Sequence, residues 1–270
     1  MIISPRHFAL LAILVIGWYL GLTYIPQFVG TCLDADCGFS AAEIALSIAM
    51  PLMFFVVPIA VEMVVYRKRL RTAISDIGLT RFNWTGIRLA AIYLLPLLVY
   101  FPLMSLITNN LLTTQPRWEW LFLSTLLVNG LVEETMMRGF VFRHLREGRS
   151  FWRAAGLSTI YFAGYHIPLI FSAGLMIGVI GIVIAIPIGF VTAYIYERGN
   201  NTIWGPALLH AINNGLVFVF MLSSELQPVA ASLYMLLGIA VSTAMVVRAY
   251  RSRYGRSNEA TMQQLVVKPS

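Results

Sequence analysis

Charge is scarce in this sequence. Of its 270 residues 11% are charged, where a soluble domain carries about 25%. With 59% hydrophobic residues and a mean hydropathy of +0.77, the chain is neither a soluble globular enzyme nor a disordered polypeptide. Cysteine is nearly absent. Two residues, Cys32 and Cys37, rule out a disulfide-dense secreted scaffold. They share one loop, as free thiols or as a single staple, and neither is placed for chemistry. Acids are fewer than bases, 12 against 19, which leaves a net charge of +7. On a soluble chain that surplus would suggest nucleic acid. On an apolar chain the positive-inside rule accounts for it first, and no nucleic-acid partner is expected. Internal repeats and low-complexity segments are also missing.

Long apolar runs are what the sequence has in abundance. A bilayer core of roughly 30 Å takes about 20 residues of helix, and about eight runs qualify: 8–29, 40–66, 86–108, 119–143, 154–172, 174–197, 202–222 and 229–250. The expected fold is all-α: a polytopic membrane protein with about eight transmembrane helices. It forms a single membrane domain over 1–270, with a basic, disordered tail at 251–270. The runs are continuous and do not alternate, so barrel strands are not expected. Pro51, Pro58, Pro96, Pro102, Pro187 and Pro206 lie inside runs and should kink rather than break them. Gly174, Gly178 and Gly181 should let a neighbouring helix approach closely. The first run is too long for a signal peptide's core, and Trp18 and Tyr19 spoil a cleavage site, so it is read as a retained helix.

The bases follow a pattern. Arg67, Lys68, Arg69, Arg71, Arg81 and Arg88 fall in one connection, Arg143, Arg146, Arg149 and Arg153 in another. Arg198 and Arg248–Arg256 follow later runs. With an even number of spans all of these share one side. The opposite loops hold Arg117 and the acids Asp34, Asp36 and Glu225. Both termini are therefore expected in the cytoplasm. The compact loops suit a bacterial cytoplasmic membrane, with the lipid bilayer as the first partner.

The charges that break the apolar background carry the chemistry. Each costs roughly 2.5–3.5 kcal/mol at mid-membrane, yet the fourth run holds Glu133, Glu134 and Arg138. Glu134 and Arg138 are four apart and can pair on one helix face. Glu133 is rotated by about 100° and can face elsewhere, which leaves one carboxylate tied up and the other free. His166 lies in the fifth run and His210 in the seventh, with Asn214 one turn beyond. From the cytoplasmic ends Glu133, His166 and His210 lie about 10, 12 and 8 residues deep, a spread of about 6 Å. Singly each has a bland explanation: an ion pair, a satisfied bundle histidine, interhelical glue. Together, Glu, His, His and Asn at one depth are what a hydrolytic site needs. Asn129, one turn before Glu133, and Asn213 would support it, and His144 is placed at the membrane interface.

Several ways of cutting a peptide within a membrane are excluded. There is no H-E-x-x-H for a zinc protease. Asp34, Asp36 and Asp76 all lie in loops, which removes a paired-aspartate mechanism. Ser124 and Ser158 sit in no nucleophile motif. A carboxylate with histidines acting on water remains.

Three motifs then resemble a known family. Glu133-Glu134-x-x-x-Arg138, Phe162-x-x-x-His166 and His210-x-x-x-Asn214 are similar, in order and on separate helices, to those of the CAAX protease and bacteriocin-processing (CPBP, or Abi) family. The segment 77–84 (IGLTRFNW) also looks like the one that commonly precedes the core in bacterial members. The likeness covers roughly 118–222. It implies an intramembrane endopeptidase related to the type II CAAX prenyl endopeptidase. It would hydrolyse a peptide bond of a membrane-associated protein or peptide, prenylated or not. Carried over, Glu133 is the general base, His166 orients the same water, and His210 and Asn214 donate to the oxyanion. Glu134 and Arg138 hold the helix. No cofactor is expected, although Glu133, His166 and His210 are also a known type of zinc set, which stays open. Two other functions compete. A transporter or proton relay would show a polar path and, often, repeat symmetry. An immunity-type partner protein would normally have lost one of the motif residues.

Overall fold

The computed structural model describes residues 55–172 and 174–251. The expected span 8–29, most of 40–66, the loop carrying Cys32 and Cys37, and the tail from 252 onward lie outside them.

The described chain is almost entirely helical: α1 (Phe55–Val64), α2 (Leu70–Ile77), α3 (Trp84–Thr108), α4 (Trp118–Thr125), α5 (Arg143–Arg146), α6 (Phe151–Tyr165), α7 (Pro168–Ser172), α8 (Leu175–Arg198), α9 (Trp204–Val219) and α10 (Gln227–Arg251). Local chemistry sets several boundaries. Asn83 caps α3 by accepting from the Thr85 amide at 2.8 Å, and Asn109 ends it in the left-handed region. Ser150 starts α6 by accepting from the Arg153 amide. As expected, Pro96 and Pro102 lie within an unbroken α3 and Pro187 within α8.

The helix expected over 119–143 is present, but it is not uniformly α. α4 passes directly into a π-helical stretch, π1 (Leu126–Val132). After Glu133 and Glu134 comes a second, π2 (Thr135–Phe142), which leads into α5. The i→i+5 turns of a π-helix are rare and cluster at functional sites. Here they flank the paired glutamates on both sides.

Among the described residues, four helices are long and apolar enough to cross a membrane: Trp84–Thr108, Phe151–Phe171, Leu175–Arg198 and Gln227–Arg251. The runs expected at 119–143 and 202–222 are not among them. The first is divided between α and π turns, and the helix in the second, α9, ends at Val219 after 16 residues, about 24 Å. β2 (Phe220–Met221) follows it and pairs antiparallel with β1 (Thr113–Thr114), a two-residue ladder that the apolar pattern did not predict.

The helix ends divide into two groups. At one end Gly86, near the start of α3, lies against Gly199 just after α8 and Gly205 at the start of α9. There too Arg146 pairs with Glu197, and Trp152 meets Tyr250. These are the basic connections that the sequence assigned to one side. The ladder marks the other end, where Asn110 bonds Ser223 through both its oxygen and its nitrogen. Between the ends, α6 packs on α8, and α9 packs on α3 and π1. One apolar cluster joins Val132, Met136, Met137 and Phe140 to Phe162 and Ile188. It holds the glutamate helix against α6 and α8.

Candidate active site

The site begins with a close approach of two backbones. A methyl group on Gly130, in π1, would come within 2.9 Å of the Ala207 carbonyl oxygen and 3.2 Å of the Ala211 Cβ, both on α9. The missing side chain lets π1 and α9 touch, so the residues that follow Gly130 face those around His210.

Glu134 is fully buried. Its Oε1 accepts from Arg138 Nη1 at 3.1 Å, the ion pair expected from the spacing, and from His210 Nδ1 at 2.8 Å. A carboxylate tied to a guanidinium can only accept, so His210 carries its proton on Nδ1 and its Nε2 points the other way. Glu133 is met there: its Oε2 lies 4.0 Å from His210 Nε2. Its Oε1 accepts from Asn129 Nδ2 at 2.8 Å, which gives Asn129 the supporting place expected of it. Glu133 therefore does not turn away from Glu134's partner, as 100° per residue suggested. The two carboxylates address opposite nitrogens of one imidazole. Glu133 Oε2 and Glu134 Oε2 are both buried and accept no hydrogen bond from the protein. Unsatisfied buried acceptors are uncommon and call for a functional reason.

His166 sits at the C-terminal cap of α6. Its Nδ1 donates to the Phe162 carbonyl at 2.8 Å, so a neutral ring turns its Nε2 lone pair outward. Phe162 ties the group together. The Arg138 guanidinium lies 4.6 Å from its ring centroid, and His166 and His210 meet it edge-on at 4.8 and 5.7 Å. Asn214 is four residues after His210 in α9 and so on the same face. Its Oδ1 accepts from Asn213 Nδ2 at 3.1 Å. Glu133, Glu134, Arg138 and His210 are thus joined directly, His166 through Phe162, and Asn214 through its turn of helix.

A catalytic zinc would need three ligands aimed at one point. Among the described residues no group of three His, Cys, Asp or Glu side chains is arranged to hold a metal. As the side chains stand, Glu133, His166 and His210 do not fit that role, and no step below passes through a metal.

A second buried polar cluster was not foreseen. His144 is buried, stacked on Tyr66 at 4.3 Å, and its Nε2 lies 2.7 Å from Glu62 Oε1. Glu62 also pairs with Arg143 and, at 2.9 Å, with Lys68. The signal available was Glu62 itself, an acid inside the 40–66 run. Tyr93, which bonds Asn213 from α3, gave none.

The fold and site define a helical membrane protein with a buried glutamate–histidine–arginine centre. Residues 115–216 match the family described as Rce1-like, type II CAAX prenyl endopeptidase. The matched segment runs from just before α4 into α9. It contains Glu133, Glu134, Arg138, His166, His210 and Asn214, so the resemblance carried by the three motifs holds, and it is to a protease family. No curated protein matches the chain significantly.

Proposed function

We propose that the chain is an intramembrane endopeptidase that hydrolyses a peptide bond of a membrane-associated protein or peptide, prenylated or not, with Glu133 activating the water. The observation that carries this is the pair of consecutive carboxylates around His210. One is locked to its Nδ1, and the other presents a free Oε2 toward its Nε2.

The steps follow from the donors. Glu133 Oε2 takes a proton from the attacking water, with the His166 Nε2 lone pair orienting it. Hydroxide adds to the peptide carbonyl carbon. His210, held through Nδ1–H by the Glu134 carboxylate, takes a second proton from solvent at Nε2 as substrate binds and donates that Nε2–H to the oxyanion, and Asn214 Nδ2 donates alongside it. Donors fixed in advance in a low-dielectric bundle stabilise that charge better than water does. As the C–N bond breaks, Glu133 returns its proton to the leaving amine. The proposed setting is a bacterial cytoplasmic membrane with about eight spans and both termini inside.

The test is hydrolysis of a farnesylated reporter peptide by purified protein in lipid vesicles. Glu133→Gln is expected to abolish turnover while thermal unfolding in detergent stays near wild type. Turnover retained by Glu133→Gln overturns the assignment.

A further inference from the structure

Asn214 can serve an oxyanion only as a donor, through Nδ2. The polarity comes from Asn213 beside it in α9 and, through Asn213, from α3. Asn214 Oδ1 accepts from Asn213 Nδ2 at 3.1 Å, and Asn213 Oδ1 accepts from Tyr93 Oη at 3.2 Å, on α3. Tyr93 is buried and lies 2.9 Å from Ser242 Oγ of α10, which donates its own proton to the Gly238 carbonyl at 2.7 Å. Tyr234, also on α10, donates to the Asn213 backbone carbonyl at 2.8 Å and fixes that residue's place without touching its amide.

A phenol has one proton. The relay is set when that proton goes to Asn213 Oδ1 at 3.2 Å rather than to Ser242 Oγ at 2.9 Å or the Gly238 carbonyl at 3.4 Å. The Asn213 nitrogen then faces Asn214, whose oxygen is occupied and whose Nδ2 is left for the site. Run in reverse, the same chain would aim a carbonyl oxygen at the developing oxyanion.

We propose that Tyr93 and Asn213 are positioning residues that set the donor polarity of Asn214, a relay from α3 through Asn213 to the reacting carbonyl. The relay rests on Asn214 acting as an oxyanion donor.

Its test compares Tyr93→Phe, Asn213→Asp and Tyr234→Phe on the farnesylated reporter peptide, reading kcat and KM separately. Each variant's affinity for a peptide aldehyde is measured beside them, since the hydrate of an aldehyde imitates the tetrahedral intermediate. An aspartate at 213 accepts from both neighbours and turns Asn214 around. Asn213→Asp is expected to lower kcat about 100-fold, the scale of losing one oxyanion donor, with KM unchanged. Tyr93→Phe removes one hydrogen bond of the relay and is expected to lower kcat about 10-fold. Aldehyde affinity should fall in parallel with kcat in both. Tyr234→Phe should lower thermal stability and leave kcat alone. Unchanged kcat in Tyr93→Phe overturns the relay even if Asn213→Asp fails to fold. Glu133→Gln and Asn214→Leu are run beside them. If these abolish turnover while Tyr93→Phe does not lower it, the relay fails and the peptidase stands; if they retain turnover, the peptidase itself fails.

Discussion

At the scale of single residues, the site is built from groups that an apolar bundle tolerates only in company. Arg138 is the clearest case. Its guanidinium bonds Glu134, reaches toward the Gly189 carbonyl and covers the Phe162 ring. Removing one partner of a buried ion pair leaves the other charge uncompensated, at about 3–5 kcal/mol. Arg138→Met should therefore lower stability by about that amount in a reversible denaturation titration in mixed micelles, and activity with it. Stability near wild type would show that the Glu134 charge is held by His210 alone. The motif residues were legible because each violates its surroundings: a Glu or His inside a long apolar run has little reason to be there. Tyr93 and Ser242 break no such rule. Both are common in helices, and their link to Asn213 exists only through contacts across 120 and 149 residues of chain.

At the scale of elements, apolar run length foretold the helices and their proline tolerance but not their finer form. The π turns around Glu133 and Glu134 leave hydropathy unchanged, so no window average could separate them from α turns. Of the three glycines expected to permit close packing, Gly178 and Gly181 do so, while Gly174 has nothing within 4 Å of a would-be methyl and instead takes a positive φ of 94° before α8. Gly178 matters most. A Cβ there would lie 2.4 Å from the Ile170 amide nitrogen, on α7, the short helix that directly follows His166. Gly178→Ala must push α7 off α8. The expected cost is about 1–3 kcal/mol, the range for overpacking. A downward shift of the thermal midpoint in detergent would report it, with a fall in kcat as His166 moves. An unaltered midpoint would mean that α7 yields without strain.

At the scale of the whole molecule, the basic connections that the sequence placed on one side do meet at one end of the bundle. Their shared location was legible from charge counting alone, because neighbouring loops alternate so sharply between basic and acidic. Single-cysteine labelling at Arg149 and Asn200 should therefore give the same answer for both loops. Protection in intact cells, lost on permeabilisation, places them in the cytoplasm. Labelling of one loop and not the other would overturn the even-span topology.

The two-residue ladder has a consequence for how the protein is made. Thr113 and Met221 are 108 residues apart, and Asn110 and Ser223 are 113 apart. At about 5–20 residues per second, the second half of this clasp leaves the ribosome roughly 5–20 s after the first. His210 precedes it only slightly, so the polar centre is completed late in synthesis. For that interval the membrane holds a helix whose Glu134 has Arg138 as its partner and still awaits His210.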